Sequence, residues 1–281
     1  MPKAIDLHVH LPTDEWLDNA IGPMLPATEA YFRKSPERRS LDQVAEEYRD
    51  QDVLGVVLDW DDESVTGRGW LGNDFMAALP ERYPGVLMGF GSVDPHHDDA
   101  VQEVDRIADL GLKGLKFHPT MQRFDPGDEA FYPIYERMQE RGLIALFHTG
   151  TCGIGAGTPG ASGTKIRYSH PGFLDSVGAD FPGIDWIAAH FGWPWTAECL
   201  ALALHKSNVW IELSGWAPGY LPPEVEREIG KRLNRQTLFG SDYPFIPLDR
   251  WFSEFDELGL PDDAAERILK GNASQLLGLG S

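Results

Sequence analysis

The sequence is poor in cysteine and in basic residues, and it lacks long hydrophobic runs. The 281 residues include two cysteines, Cys152 and Cys199, whose separation fits neither a metal-binding nor a redox motif. Lys and Arg number 24 against 44 Asp and Glu, which argues against a nucleic-acid partner because a polyanion would be repelled. No run approaches the roughly 20 apolar residues of a membrane span. The start MPKAIDLHVH lacks the pattern of a secretory signal, so we expect a soluble, cytoplasmic protein with no membrane partner.

Eight short runs rich in apolar and β-branched residues alternate with helical patterns along the chain. Their starts lie 25 to 49 residues apart, which is enough each time for a strand, a loop and a crossover helix. The predicted strands are 4–10, 53–60, 86–93, 112–118, 143–149, 184–190, 209–214 and 237–242. The spacing therefore predicts an α/β protein, a single-domain (β/α)8 TIM barrel over 1–281, in preference to an open doubly wound sheet.

Helix signals and long connections complete this prediction. Helices are expected over 40–50, where a capping box marks the start, over 128–142 and over 262–277. Two connections that follow strands are unusually long, namely 11–39 and the glycine-rich 151–172. Because active sites of such barrels lie at the carboxyl ends of the strands, we expect both long loops to border the site.

Histidines and one aspartate fall at the ends of predicted strands. The strand period of two puts His8 and His10 on one face of the first strand, aimed at the barrel axis. His148, His190 and Asp242 end the fifth, sixth and eighth strands. In a parallel barrel these ends converge at one mouth, within reach of a single metal ion. A strand that ends in one histidine is ordinary, but the coincidence on four strands predicts a metal centre.

Together with other motifs, these residues make the sequence similar to the amidohydrolase superfamily. It resembles in particular the amidohydrolase-2 branch, which includes aminocarboxymuconate-semialdehyde decarboxylase. The resemblance covers essentially the whole chain and rests on IDLHVHLP, GLKFHP, FHTG, AHFGWPW, LSGW, FGSDYP and ILKGNASQLLGL. It implies that His8, His10, His148 and Asp242 hold a divalent metal ion, with zinc expected ahead of manganese or another ion. It also implies that His190 is a catalytic residue or a second metal ligand, and it allows a homodimer.

The fourth strand leaves alternatives open. Lys116 and His118 share one face of it. In the superfamily, many binuclear members carry a carboxylated lysine that bridges two metals at this strand end, whereas decarboxylase-like members with one ion generally lack it. Lys116 is therefore a candidate carbamate ligand to metal, a cation that binds a substrate carboxylate, or the partner of an acidic residue. His118 either binds substrate or caps the strand.

Aromatic and basic residues near the predicted mouth indicate the class of substrate. Tyr168, Trp193 and Trp216 would form an apolar rim that suits a small organic or aromatic acid. Arg167, in the glycine-rich loop, is a candidate for binding a carboxylate through its paired donors.

The ion and the carboxylate together predict a reaction. A bound ion with one open position would acidify a water, Asp242 would carry its proton to a leaving group, and His190 would stabilise the oxyanion. This predicts a metal-dependent hydrolase of the amidohydrolase-2 type, acting on a small organic acid, lactone, ester or amide. The alternative is a non-oxidative decarboxylase, a carboxy-lyase of an aromatic or muconate-type acid with the same metal site. A barrel that binds a ligand without turnover is disfavoured by the complete ligand set.

Overall fold

Eight parallel strands form the centre of the molecule in the computed structural model, which describes residues 2–279. They are β1 (Ala4–Val9), β2 (Val53–Val57), β3 (Leu87–Gly89), β4 (Gly114–Phe117), β5 (Ile144–His148), β6 (Trp186–Ala189), β7 (Val209–Glu212) and β8 (Thr237–Leu238). Strands β1 to β3 form one sheet and β4 to β8 another. Bridges from Val9 to Tyr243 and from Gly91 to Leu115 join the two sheets. The strands therefore form the (β/α)8 TIM barrel that the spacing predicted.

Helices surround this barrel. They are α1 (Leu25–Phe32), α2 (Leu41–Asp50), α3 (Glu63–Thr66), α4 (Asn73–Arg82), α5 (Ala100–Asp109), α6 (Pro119–Gln122), α7 (Tyr132–Arg141), α8 (Phe173–Asp180), α9 (Thr196–His205), α10 (Pro223–Ile229), α11 (Leu248–Glu257), α12 (Asp262–Glu266) and α13 (Asn272–Leu277). Helix α2 begins at the predicted capping box, in which the Gln43 N–H donates to the Ser40 hydroxyl and the Ser40 N–H donates to the Gln43 side chain. Within residues 2–279, every helix is too short or too polar to cross a bilayer.

The predicted helix over 262–277 contains one irregularity. Helix α12 leads into a π-helical turn, Arg267–Gly271, which is followed by α13. The carbonyl of Ile268 in this turn accepts the Phe239 N–H at 3.1 Å, and the Asn272 side chain donates to the Thr237 carbonyl at 2.7 Å. The wider turn thus attaches the last helix to the short strand β8.

Several strands are shorter than predicted, and one predicted loop is partly helical. Strand β8 ends at Leu238 instead of 242, because Asp242 has a φ of 65°, a left-handed conformation that a strand does not allow. The segment 11–39, predicted as a loop, contains a π-helical turn at Trp16–Ile21 and helix α1. It folds because the apolar side chains of that turn are buried in one cluster with Trp60.

Two large hydrophobic clusters hold the barrel together. One fills the interior and includes Leu7, Leu146 and Ile187. The other lies between strands and helices and includes Phe117 and Trp251. Because the interior cluster occupies the lower part of the barrel, the polar side chains at the carboxyl ends of the strands lie above a closed apolar floor.

Candidate metal centre

Strand β1 presents two histidines to the barrel interior. Its register with β2 shifts between Asp6 and Val9, and this bulge puts Leu7 and His8 both on the inside. Val9 packs toward the helices, and His10 returns to the interior, with its ring centroid 5.1 Å from that of His8. The bulge therefore directs both rings into the same space.

Asp242 reaches these histidines from the segment after β8. Its N–H donates to the His8 carbonyl at 3.1 Å, while the N–H and hydroxyl of Ser241 donate to the Asp6 carboxylate at 2.9 and 2.5 Å. These bonds hold Asp242 in its left-handed conformation. Its Oδ1 lies 3.7 Å from the Nε2 atoms of both His8 and His10. We call His8, His10 and Asp242 the metal triad, since their ligand atoms all lie within 4.8 Å of one another.

Hydrogen bonds fix which ring nitrogen of each triad histidine carries the proton. The Nδ1 of His10 donates to the Leu58 carbonyl at 2.9 Å, and the Nδ1 of His8 donates to Glu212 at 3.0 Å. Burial holds the pKa of both rings well below the ordinary value, so both rings are neutral. Each Nε2 then carries no proton and offers a lone pair, which in His8 lies 3.3 Å from Lys116 Nζ. Two imidazole lone pairs and a carboxylate oxygen directed at one point fit a divalent cation.

Glu212 is a site residue that the sequence analysis missed. It is fully buried at the end of β7, and its carboxylate accepts the N–H and the hydroxyl of Ser214 at 2.8 and 2.6 Å besides the His8 ring. A Cβ at position 240 would lie 1.6 Å from Glu212 Oε1, so Gly240 makes room for it. A carboxylate behind a ligand histidine orients the ring and raises its basicity. The signal in the sequence was an acidic residue inside the apolar run VWIE.

His190 and His148 extend the same network. The Ser214 hydroxyl lies 2.8 Å from His190 Nδ1, and His190 Nε2 lies 3.1 Å from His148 Nδ1. Because the Ser214 hydroxyl donates to Glu212, it accepts from the Nδ1–H of His190. His190 Nε2 then accepts from the Nδ1–H of His148. His148 Nε2 has no hydrogen-bond partner among the described residues, so in this arrangement it is a bare lone pair.

His148 does not group with the metal triad as the resemblance implied. Its ligand atom lies within 4.8 Å of those of His118 and Cys152, and we call these three residues the sulfur group. The rings of His118 and His148 stack with centroids 4.0 Å apart, and His118 Nε2 lies 3.7 Å from Cys152 Sγ. Whether His148 shares the ion of the metal triad, as the resemblance implies, therefore stays a prediction.

Lys116 is buried next to the metal triad. Its Nζ lies 3.3 Å from His8 Nε2, so it contacts an imidazole and not an acidic residue. Burial lowers the pKa of this amine, against the opposing attraction of Glu212 and Asp242. Burial likewise raises the pKa of Asp242. A less basic amine at this position suits a carbamate, which forms from the neutral amine, whereas a substrate anion in contact with Nζ would favour the cation.

One cavity is lined by the metal triad, the sulfur group, Lys116 and His190. Trp193 and Trp216 lie in its wall with ring centroids 5.0 Å apart. The long connections contribute further wall residues, which are Trp16, Ile21, Thr28, Tyr31 and Phe32 from 11–39, and Thr151, Cys152, Gly153 and Ile154 from 151–172. The cavity therefore combines a polar floor with a largely aromatic wall, as binding of a small ring compound requires.

Arg167 and Tyr168 lie elsewhere. Both belong to a short 3-10 turn, Ile166–Ser169, and line a separate open depression together with Trp195. The Arg167 guanidinium lies over the Tyr168 ring, 4.9 Å from its centroid. The structure does not bring these two predicted substrate-binding residues into the cavity, since both line this depression instead.

Comparisons with known proteins identify the family and the fold. The model of the family described as Amidohydrolase matches residues 5–279. A search of curated proteins found no match. Among solved structures, an uncharacterised TIM-barrel protein from Bordetella bronchiseptica is 25% identical with a TM-score of 0.83, and the alignment covers 98% of each chain.

Two further solved structures show the same fold. A dihydroxybenzoic acid decarboxylase from a Polaromonas species, with bound manganese and the inhibitor 2-nitroresorcinol, is 17% identical with a TM-score of 0.70, covering 99% of this chain and 98% of the other. A probable 2-pyrone-4,6-dicarboxylic acid hydrolase from Acinetobacter baumannii, with citric acid bound, is 16% identical with a TM-score of 0.65, covering 99% and 100%.

Proposed function

We propose that this chain, which belongs to the amidohydrolase family, is a metal-dependent hydrolase of a small organic acid derivative. The bond broken would be that of a lactone, ester or amide. The observation that carries this proposal is the convergence of the metal triad with Lys116, whose Nζ lies 3.3 Å from His8 Nε2. A metal position, a proton acceptor and a cation thus share one cavity.

The metal triad would hold a divalent cation, with zinc expected ahead of manganese. When bound, such a cation supplies Lewis acidity toward an oxygen of water or substrate. Glu212 keeps the His8 ring in the orientation of a ligand through its bond to Nδ1. The Leu58 carbonyl does the same for His10.

Three residues of the chain would handle protons and charge. Asp242, whose pKa burial raises, takes the proton of the attacking water and gives it to the leaving group. Lys116 meets the negative oxygen that develops, or a carboxylate of the substrate. His190 accepts from His148 and donates to Ser214, so it serves as a proton relay rather than as an oxyanion donor.

Hydrolysis uses these groups more fully than decarboxylation does. Addition of water to a carbonyl needs an acceptor for a proton, a cation for the oxyanion and a donor for the leaving group, and Asp242 and Lys116 supply them. Decarboxylation needs one proton delivered to carbon. It is the second candidate because the cavity wall suits a flat ring, with Trp16 stacked on His10 at 4.9 Å and Trp60 edge-on at 5.8 Å.

Turnover in ¹⁸O-labelled water separates the two reactions. The zinc-loaded protein is tested on aryl lactones, esters and amides and on hydroxybenzoates, and products are analysed for ¹⁸O and carbon dioxide. Hydrolysis predicts one ¹⁸O atom in the product carboxylate and no carbon dioxide. Carbon dioxide release without ¹⁸O incorporation would contradict the proposal and support decarboxylation.

Two aspartate variants test the role of the triad in the same assay. Asp242→Asn should lower kcat by about 10³-fold, because it removes the proton carrier. Asp249→Asn, an exposed aspartate on α11, is the matched control and should keep full activity. Unchanged turnover by Asp242→Asn would contradict both candidate reactions.

A further inference from the structure

The buried carboxylate of Asp6 connects the two segments that supply the metal triad, which are β1 and the turn after β8. We propose that Asp6 is a positioning residue, which sets the relative geometry of the triad ligands through hydrogen bonds to both segments. This inference rests on the metal triad of the proposed function but not on the reaction that it would catalyse. Asp6 is fully buried and lies outside the cavity lining, so it acts through the ligands and does not contact substrate.

The Oδ1 atom of Asp6 accepts one backbone N–H from each segment. The His8 N–H donates to it at 3.1 Å, a bond that spans the bulge by which β1 turns the His8 ring to the interior. The Ser241 N–H donates to the same atom at 2.9 Å, one residue before Asp242. A single oxygen atom therefore fixes the backbone next to two triad ligands, although Asp6 and Ser241 are 235 residues apart in the chain.

The Oδ2 atom of Asp6 accepts two hydroxyl groups, and only one of them belongs to these segments. The Ser241 hydroxyl donates to it at 2.5 Å and accepts the Tyr243 N–H at 3.0 Å, so the backbone is held on both sides of Asp242. The Tyr48 hydroxyl donates to it at 2.9 Å from α2, a helix that carries no triad residue. The two hydroxyls thus differ in whether they lead to a ligand.

The triad needs this support because its geometry is not one that the chain adopts by itself. Asp242 has a φ of 65°, which a residue with a side chain keeps only where its surroundings impose it. Two backbone bonds between the segments, from Asp242 to the His8 carbonyl and from His10 to the Tyr243 carbonyl, form only if the segments are in register. The Asp6 carboxylate keeps that register, since its loss would leave buried N–H groups without an acceptor.

Two variants that each remove one hydroxyl donor from the same carboxylate oxygen test this role. Ser241→Ala should weaken zinc binding to the metal-free full chain by about 10-fold, because it loosens the turn that carries Asp242. Tyr48→Phe is the matched control and should change zinc affinity less than twofold. Competition with a calibrated chelator measures the affinities. Visible absorption of the cobalt(II) form should change in Ser241→Ala and stay the same in Tyr48→Phe.

Urea unfolding of the metal-free proteins separates positioning from a purely structural role. A structural role predicts that both variants lose stability while zinc affinity and the cobalt spectrum stay unchanged, and this result would overturn the proposal. Equal losses of zinc affinity in Ser241→Ala and Tyr48→Phe would overturn it as well. If Ser241→Ala does not fold, Ser241→Cys replaces it with the same expectation, because a thiol donates only weakly and position 241 lies outside the cavity lining.

A double-mutant cycle shows whether Ser241 acts through the triad. Ser241→Ala should weaken zinc binding less than twofold further when Asp242→Asn is already present, since the ligand that it positions is gone. A full 10-fold loss in that background contradicts the proposed role. If Asp242→Asn alone leaves zinc affinity unchanged, the metal triad itself is wrong. Failure of the proposed metal site and failure of the positioning role are therefore distinguishable.

Discussion

Replacement of Glu212 by glutamine tests how far the metal triad depends on the residue behind it. Glutamine has the same shape, but half of its head group is an amide NH₂ that would face the N–H and O–H donors of His8 and Ser214. The His8 ring would lose its acceptor or turn. Loss of such a partner typically costs 10- to 100-fold in metal affinity, about 1.4 to 2.7 kcal/mol. Glu212→Gln should weaken zinc binding by that factor.

Competition with a calibrated chelator measures this affinity, and thermal unfolding of the metal-free protein shows that the variant folds. Glu228→Gln is the control, because Glu228 is also a buried glutamate that accepts hydrogen bonds. Its donors are Arg227 and Arg232, on the outside of the barrel. It should change zinc affinity less than twofold. If folded Glu212→Gln binds zinc as tightly as the unaltered protein, Glu212 does not orient His8 for metal binding.

Three other outcomes are expected. Gly240→Ala should abolish tight zinc binding or prevent folding, since its Cβ would overlap Glu212. The control Gly69→Ala, with open space around it, should have a free energy of unfolding within about 0.5 kcal/mol of that of the unaltered protein. Normal zinc binding by Gly240→Ala would contradict the predicted overlap. Burial raises the pKa of Asp59 to about 7 from 3.8, so the free energy of unfolding should fall by at most about 4 kcal/mol as pH rises from about 4 to 7. Urea unfolding should show that Asp59→Asn removes this dependence on pH. An unchanged pH profile of the variant would contradict the prediction. Arg167→Ala should leave kcat/KM within about twofold, and a tenfold rise in KM would show that this side chain reaches the substrate.

The sequence predicted the parts of the site that follow from strand order. Parallel strands in sequential order bring their carboxyl ends to one mouth, and this alone places His8, His10, His148, His190 and Asp242 around one cavity. The barrel itself followed from the spacing of apolar runs. Cytoplasmic location, a homodimer and the absence of a nucleic-acid partner stay predictions.

The sequence could not predict features that depend on distant contacts. The left-handed conformation of Asp242 requires bonds between Ser241 and Asp6, which are far apart in the chain. The role of Glu212 depends on its meeting His8 across the barrel.

Anomalous diffraction at the zinc edge, from crystals of the zinc-loaded protein, shows whether the metal triad holds an ion. The proposed metal site predicts a peak about 2.0 to 2.2 Å from His8 Nε2, His10 Nε2 and an Asp242 carboxylate oxygen. A fully zinc-loaded protein whose peaks all lie beyond coordination distance of these three atoms would contradict it.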